Sequence, residues 1–369
     1  MSTAADELRN RVKDAIKAEM LKHQVGAQPE QAVEVEPPLE EAEAKEEATL
    51  KNGQVWFTNL INISKSALPE GVEDFGVSVF KPEDWHEEVK GFVPEVDANY
   101  VLQIDQAAAV AFAIEHGDKI LCTGPTGSGK STLFKQMCAL MKRPTIRVNM
   151  TADMESSTLF GALVVENGAT IWKDGPVTEA VRHGAVIVID EWDVTPPEIL
   201  FGLQWLFEKN GKLYLKEMPG ASKDKFITPN DNFRLCCLGN TIGQGDETGK
   251  FAGVNVQNSA TIDRFQTTVH LGYLDAIHEQ GVIKKACPGL KADFVKRMVQ
   301  LAKLVRTAYE QNNINLTMSP RTLINWGEKT LALGQSERAI KLAFANKLRD
   351  NDSRVLAEMY SKVFGKSFK

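Results

Sequence analysis

The order of apolar and polar positions divides the chain into segments of different character. Over residues 99–273, short apolar runs of strand length alternate with stretches of helical periodicity. Such alternation predicts an α/β fold, because parallel strands need a crossover helix between them. The expected strands are residues 119–123, 145–150, 185–190, 233–238 and 267–271. Residues 274–369 follow an almost wholly helical pattern and predict a helical C-terminal domain.

The first 98 residues do not follow this alternation. Residues 1–23 predict a short N-terminal helix, because apolar side chains recur at every fourth position on one face. Residues 24–49 predict a disordered acidic linker, since eight glutamates stand between positions 30 and 47 against Lys45 alone. Residues 50–98 contain six large aromatic residues and predict a small module or an arm packed on the main domain.

Composition excludes several classes of protein. No apolar run approaches 18 residues and the N-terminus lacks a basic start followed by an apolar stretch, so we expect a cytoplasmic protein with no membrane span. The net charge of −6 argues against a generally nucleic-acid-coating surface. The five cysteines form no C-x-x-C pair and the six histidines show no metal-ligand spacing, so we expect reduced thiols and no transition-metal site.

The most informative motif is a complete phosphate loop, G-x-x-x-x-G-K-[ST], between an apolar strand and a helical stretch. In this context glycines let backbone N–H groups point at phosphate oxygens, and the helix N-terminus favours an anion. Lys130 is expected to contact the β- and γ-phosphates of ATP, and the Ser131 hydroxyl to bind Mg²⁺. The nucleotide-binding residues expected here are Gly124, Pro125, Thr126, Gly127, Ser128, Gly129, Lys130, Ser131 and Thr132.

A second motif ends the third apolar run. Four apolar residues are followed by Asp190 and Glu191, which is the form of a Walker B element. We expect Asp190 to hold Mg²⁺ together with Ser131, and Glu191 to act as general base on the attacking water.

Three further positions resemble those of an AAA+ ATPase, a P-loop NTPase with a parallel central sheet and a helical lid. Asn240, after the fourth strand, occupies the sensor 1 position of that superfamily. Arg264, in Asp-Arg-Phe, is similar to an arginine finger supplied by the next subunit. Arg321, in Ser-Pro-Arg at a helix start, is similar to sensor 2. The resemblance implies catalytic roles for Glu191 and these three residues.

Two predicted β-hairpin inserts point to the MoxR-like group of AAA+ ATPases. One has an Asn167-Gly168 turn between apolar stretches, and the other spans residues 211–216 and 225–227. Within that group the chain resembles the CobS family, the ATPase subunits of ATP-dependent aerobic cobaltochelatases. The resemblance rests on segments 94–101, 147–149, 240–249 and 257–265. The chain departs from the family pattern at Thr126 and Ser128, and ahead of residue 94.

The CobS resemblance implies a homo-hexameric ATP-driven ring that works with a von Willebrand A-type partner and a large chelatase subunit. The sequence has no D-x-S-x-S motif, so that partner is expected to be a separate polypeptide. The function expected first is a ring motor that remodels a partner complex, with metal insertion as one outcome. A nucleic-acid translocase or restriction-type motor is the alternative, based on four lysines near the second hairpin: Lys212, Lys216, Lys223 and Lys225. A nucleotide-gated scaffold is disfavoured, since binding alone needs neither Glu191 nor Arg264.

Overall fold

A computed structural model gives the structure of residues 50–366, except residues 209, 247, 248 and 252. The expected N-terminal helix and acidic linker, residues 1–23 and 24–49, lie outside the described residues. No helix in the described part of the chain is both long and apolar enough to cross a membrane.

The segment ahead of the α/β core packs directly on it. Its strands and helices are β1 (Gln54–Trp56), α1 (Phe57–Leu60), β2 (Gly76–Ser78) and α2 (Glu87–Lys90). The strands β1 and β2 pair antiparallel. Phe57 and Val77 are fully buried in a cluster that also contains Phe134 of the core, and Trp85 belongs to a second cluster of the core. These buried side chains pack the segment, here named the arm, against the core.

The α/β core follows. Its elements are α3 (Ile104–His116), β3 (Ile120–Thr123), α4 (Lys130–Leu140), β4 (Thr145–Asn149), α5 (Ser156–Phe160), β5 (Gly161–Glu166), β6 (Ala169–Asp174), α6 (Pro176–His183), β7 (Val186–Asp190), α7 (Pro197–Phe207), β8 (Leu213–Tyr214), β9 (Phe226–Ile227), β10 (Arg234–Gly239), α8 (Ser259–Ile262) and β11 (Thr267–His270).

A parallel sheet forms the centre of the core. Within the described residues its order is β11-β3-β10-β7-β4, and every neighbouring pair is parallel. All residues of β3, β7 and β10 are buried, because helices cover both faces of the sheet. Ile187 and Val188 therefore belong to different buried clusters, one on each face. This arrangement explains why the central strands are continuously apolar in sequence.

The strand order brings three motifs together. Strand β10 lies between β3 and β7, with Leu238 opposite Cys122 on one side and Asp190 on the other. The phosphate loop after β3, the acidic pair after β7 and Asn240 after β10 therefore meet at one edge of the sheet, as ligand sites of open α/β sheets do.

Both predicted hairpins are present. In the first, Glu166 of β5 pairs with Ala169 of β6 across Asn167 and Gly168, whose φ angles of 51° and 78° are both positive. Two positive φ angles define the turn that an Asn-Gly pair favours between twisted strands. The second hairpin is short, since β8 and β9 share only two residue pairs.

The C-terminal part is helical and has its own buried cluster. Its helices are α9 (Ala276–Ala286), α10 (Ala292–Glu310), α11 (Pro320–Leu333), α12 (Ser336–Ala343) and α13 (Asp350–Phe364). Trp326 and Tyr360 are fully buried at its centre. The cluster is separate from those of the core, which is the packing expected of a lid domain.

Candidate nucleotide site

A cavity of about 540 Å³ lies where the edge of the sheet, the arm and the lid meet. That volume lies in the range of small-molecule and cofactor sites. Phosphate-loop residues that line it are Thr126, Gly127, Ser128, Gly129, Lys130, Ser131 and Thr132. Predicted residues from other elements that line it are Asp190, Glu191, Asn240 and Arg321.

The phosphate loop requires its glycines. A Cβ on Gly124, which has a φ of 151°, would lie 2.1 Å from the carbonyl oxygen of Leu271. Gly129, with a φ of 100°, precedes α4 and gives the backbone its turn into the helix. The Ser128 hydroxyl is buried and has no hydrogen-bond partner among the described residues. A buried donor without a partner fits a loop built to receive phosphate oxygens.

The Lys130 ammonium lies inside the loop. It donates to the carbonyls of Gly124 at 2.8 Å and Pro125 at 3.2 Å, and to Asn240 Oδ1 at 3.1 Å. Burial lowers the pKa of Lys130, and the negative charge of Glu191 acts in the opposite direction. Gly124 and Pro125 are not among the cavity-lining residues, and their carbonyls contact Lys130 instead.

Asp190 is buried, and both of its carboxylate oxygens accept hydrogen bonds. Its Oδ1 accepts the backbone N–H of Glu191 at 3.1 Å, and its Oδ2 accepts the Nε–H of Arg147 at 2.8 Å and a shorter bond from Arg147 Nη2. Ser131 and Asp190 both line the cavity and offer the hydroxyl and carboxylate oxygens that Mg²⁺ prefers. Arg147 was not among the predicted site residues, although it opens segment 147–149, one of those that carry the CobS resemblance.

Glu191 has a strained backbone. Its φ of 57° and ψ of 39° are left-handed values, which are uncommon for a residue with a side chain and cluster at functional sites. Burial, then the charges of Asp190 and Asp193, raise the pKa of Glu191. Asn240 Nδ2 donates to Glu191 Oε2 at 3.2 Å, so the predicted base and the sensor 1 residue are in contact.

Asp193 holds the end of β10 in place, a role that the sequence did not suggest. The side chain is fully buried. Its Oδ2 accepts the backbone N–H groups of Asn240 at 3.0 Å and Thr241 at 2.8 Å, and the Thr241 hydroxyl at 3.0 Å. The backbone that carries the Asn240 side chain is therefore held by Asp193, in the turn that follows the Walker B strand β7.

Arg321 and Arg264 are placed differently. Arg321 lies in the first turn of α11 and lines the cavity. Arg264 follows α8 and is not among the cavity-lining residues; its Nη1 donates to the Ala260 carbonyl at 2.7 Å, and its Nη2 lies 3.5 Å from Glu208. The structure thus brings every predicted catalytic side chain except Arg264 to one cavity of a single chain.

Part of the cavity lining is apolar. These side chains come from the segment before α3, the connection after β11 and the lid: Tyr100, Val101, Leu274, Val282, Ala286 and Ile324. Burial raises the pKa of Tyr100, so its phenol keeps its proton. An apolar lining beside a phosphate loop suits a flat heteroaromatic base. Tyr100 was not among the predicted site residues, although it lies in segment 94–101, one of those that carry the CobS resemblance.

Comparison with known proteins assigns the chain to a family. Residues 119–265 match the AAA domain of the dynein-related subfamily, and residues 279–361 match the CbbQ/NirQ/NorQ C-terminal domain. The aerobic cobaltochelatase subunit CobS of Sinorhizobium is 31% identical over 317 residues, which cover 83% of this chain and 94% of that protein. An uncharacterized protein of Staphylococcus aureus is 26% identical over 63% of this chain and 84% of its own length.

Solved structures are more distant. A RuvB mutant of Thermotoga maritima is 13% identical, with a TM-score of 0.44 over 74% of this chain and 81% of its own. NtrX of Brucella abortus is 17% identical, with a TM-score of 0.46 over 72% and 60%. Because their sequence identity is low, the family assignment rests on the matched domains and on the CobS relative. The chain is therefore a MoxR-like AAA+ ATPase of the CobS family, a family of ATP-hydrolysing enzymes.

Proposed function

We propose that this ATPase is a ring motor in which each nucleotide site is completed by Arg264 of a neighbouring copy. The observation that carries the proposal is that the predicted nucleotide-binding and catalytic residues fall into two places. Lys130, Glu191, Asn240 and Arg321 surround one cavity, whereas Arg264 lies on a surface outside it. A guanidinium suits phosphate oxygens because it is planar, always charged and bidentate. A homo-hexameric ring is the arrangement that the family resemblance favours.

Each residue then has a defined task. Lys130 and the loop N–H groups bind the β- and γ-phosphates of ATP, and Ser131 with Asp190 would hold Mg²⁺, which neutralises phosphate charge when bound. The Glu191 carboxylate accepts a proton from the attacking water, and Asn240 orients that carboxylate through the 3.2 Å hydrogen bond. Arg321 reads the γ-phosphate from the lid. The apolar part of the cavity lining holds the base.

The work of the ring is to remodel a partner protein complex. The similarity to a cobaltochelatase subunit favours partners of that kind: a separate von Willebrand A-type protein, a large chelatase subunit, and metal insertion as the outcome. The competing proposal, a nucleic-acid motor, rests on the lysines near the second hairpin. There the ammonium of Lys225 donates to the Lys216 carbonyl at 2.9 Å and the Lys216 ammonium lies 3.9 Å from Glu217, a pattern of a solvated hairpin.

Affinity capture with a Glu191→Gln variant tests the proposal. The variant should bind ATP without hydrolysing it, and so retain the assembled ring together with its partner. A Lys130→Ala variant under the same conditions is the matched control, because it should capture nothing in an ATP-dependent manner. The captured protein should raise the ATPase rate of the wild type. Stimulation by single-stranded DNA instead would favour the nucleic-acid motor, and unchanged turnover in Glu191→Gln would contradict both motors.

A further inference from the structure

Tyr273 connects the core to the lid at the phosphate loop. It lies between β11 and α9, three residues after the last strand of the sheet. Its hydroxyl donates to the Thr126 carbonyl at 2.9 Å and lies 3.3 Å from the Thr317 hydroxyl of the lid. A phenol has one proton, so Thr317 must be the donor in the second bond. Burial raises the pKa of Tyr273, so its phenol stays protonated across the physiological pH range and keeps donating to the Thr126 carbonyl.

The ring of Tyr273 is held by a buried ion pair of the lid. The guanidinium carbon of Arg306 lies 3.9 Å from the ring centroid. The two terminal nitrogens of Arg306 donate to Glu279 at 2.9 Å and 2.5 Å, and its Nε donates to the Met318 carbonyl at 2.8 Å. Glu279 is on α9 and Arg306 on α10, so one guanidinium joins two lid helices, the turn before α11 and Tyr273.

A second contact lies one residue along the phosphate loop. A Cβ built on Gly127 would stand 2.6 Å from the Cβ of Ser319, so the loop backbone at Gly127 lies against the Ser319 side chain. Ser319 is the N-cap of α11 and precedes Arg321 by two residues. The loop therefore reaches the lid through Tyr273 at Thr126 and through Ser319 at Gly127, and both routes lead within a few residues to Arg321.

We infer that Tyr273 is a positioning residue through which the phosphate loop and the lid helix carrying Arg321 set each other's position; this inference rests on the proposed nucleotide site. In a planar trans peptide the C=O and the following N–H point to opposite sides. Fixing the Thr126 carbonyl on Tyr273 therefore directs the Gly127 N–H away from it. Gly127 lines the cavity, so that N–H becomes a preset donor for a phosphate oxygen.

The test is Tyr273→Phe, which keeps the ring on Arg306 and removes only the hydroxyl. We expect its Kd for ATP to rise about threefold to tenfold, the effect of losing one hydrogen bond. The melting temperature without nucleotide should stay close to that of the wild type. Tyr309→Phe is the matched control, because it removes a phenol hydroxyl from α10 where the ring faces Lys250, and its Kd should not change.

A distance measurement separates positioning from a merely structural role. All five cysteines are buried, so Lys135→Cys on exposed α4 surface and Glu328→Cys on α11 can be labelled selectively. The distance change that ATP causes should be smaller in Tyr273→Phe than in its parent. An unchanged Kd overturns the inference, and so does a raised Kd with an unaltered distance change. Lys130→Ala in the same series separates a failure of this inference from a failure of the proposed nucleotide site. If Lys130→Ala binds ATP normally, the proposed site itself is wrong.

Discussion

Asp193 offers the most informative perturbation, because it acts on catalysis only through other residues. Its Oδ2 accepts three hydrogen bonds, from Asn240 N, Thr241 N and Thr241 Oγ1, whereas its Oδ1 is buried with no partner among the described residues. An asparagine can place its carbonyl oxygen at the Oδ2 position and keep all three bonds. An alanine leaves these three part-buried donors without their acceptor.

These contacts set the expected magnitude. A buried donor left without an acceptor costs about 1–3 kcal/mol, and the lower figure applies to part-buried donors, so Asp193→Ala should lower the free energy of unfolding by about 3 kcal/mol. Asp193→Asn should cost about 1 kcal/mol, because it weakens charge-assisted bonds to neutral ones. Released from its anchor, Asn240 should no longer orient Glu191, and a displacement of about 1 Å typically costs about 10²-fold in rate.

Thermal unfolding and steady-state ATP hydrolysis measure the two effects. Thr195→Val is the control, since its buried hydroxyl has no partner among the described residues and its loss should lower neither stability nor rate. The reasoning is refuted if Asp193→Ala melts and turns over like the wild type. It is also refuted if Asp193→Asn is as damaging as Asp193→Ala, since charge rather than hydrogen-bond geometry would then be decisive.

Three further predictions concern the predicted catalytic set. Lys130→Ala should abolish ATP binding in a fluorescent-nucleotide titration, and retained affinity would mean that the site is misplaced. Glu191 is active as the carboxylate and its pKa is raised, so kcat should fall as pH drops through a value above the ordinary 4.5. Asp193→Asn removes a neighbouring negative charge and should therefore move this acidic limb of the pH profile to lower pH. If the acidic limb of the pH profile does not move, it does not report the titration of Glu191. Arg264→Ala should leave ATP binding intact and slow hydrolysis by about 10³-fold or more, whereas Arg297→Ala, which breaks a surface pair with Asp293, should not; an unaffected Arg264→Ala rate would make that residue structural.

The sequence was sufficient for the elements that local patterns specify. Buried parallel strands are continuously apolar, so the central sheet was predictable, and an Asn-Gly pair between apolar stretches predicted the β5–β6 turn. The placement of Asp190, Glu191 and Asn240 followed from their positions at strand ends. Within the core sheet, strand boundaries differed by one residue, as in the fourth strand, which was predicted at 233–238 and spans Arg234–Gly239.

The supporting residues could not be predicted because their roles depend on contacts across the fold. Arg147 meets Asp190 only because β4 lies beside β7 in one register. Asp193 reaches Asn240 because β10 is inserted between β3 and β7, an order that the sequence does not specify. Tyr273 contacts Thr126 across 147 positions of sequence, and no local pattern marks such a pair.

Mixing two inactive variants tests the shared site most directly. Glu191→Gln lacks the base but keeps Arg264, and Arg264→Ala lacks the finger but keeps its own pocket. In mixed rings with head-to-tail contacts, about a quarter of the interfaces join an intact pocket to an intact finger. The account predicts that the mixture regains about that fraction of wild-type ATP hydrolysis. A mixture as inactive as its two components would contradict a site completed by the neighbouring copy.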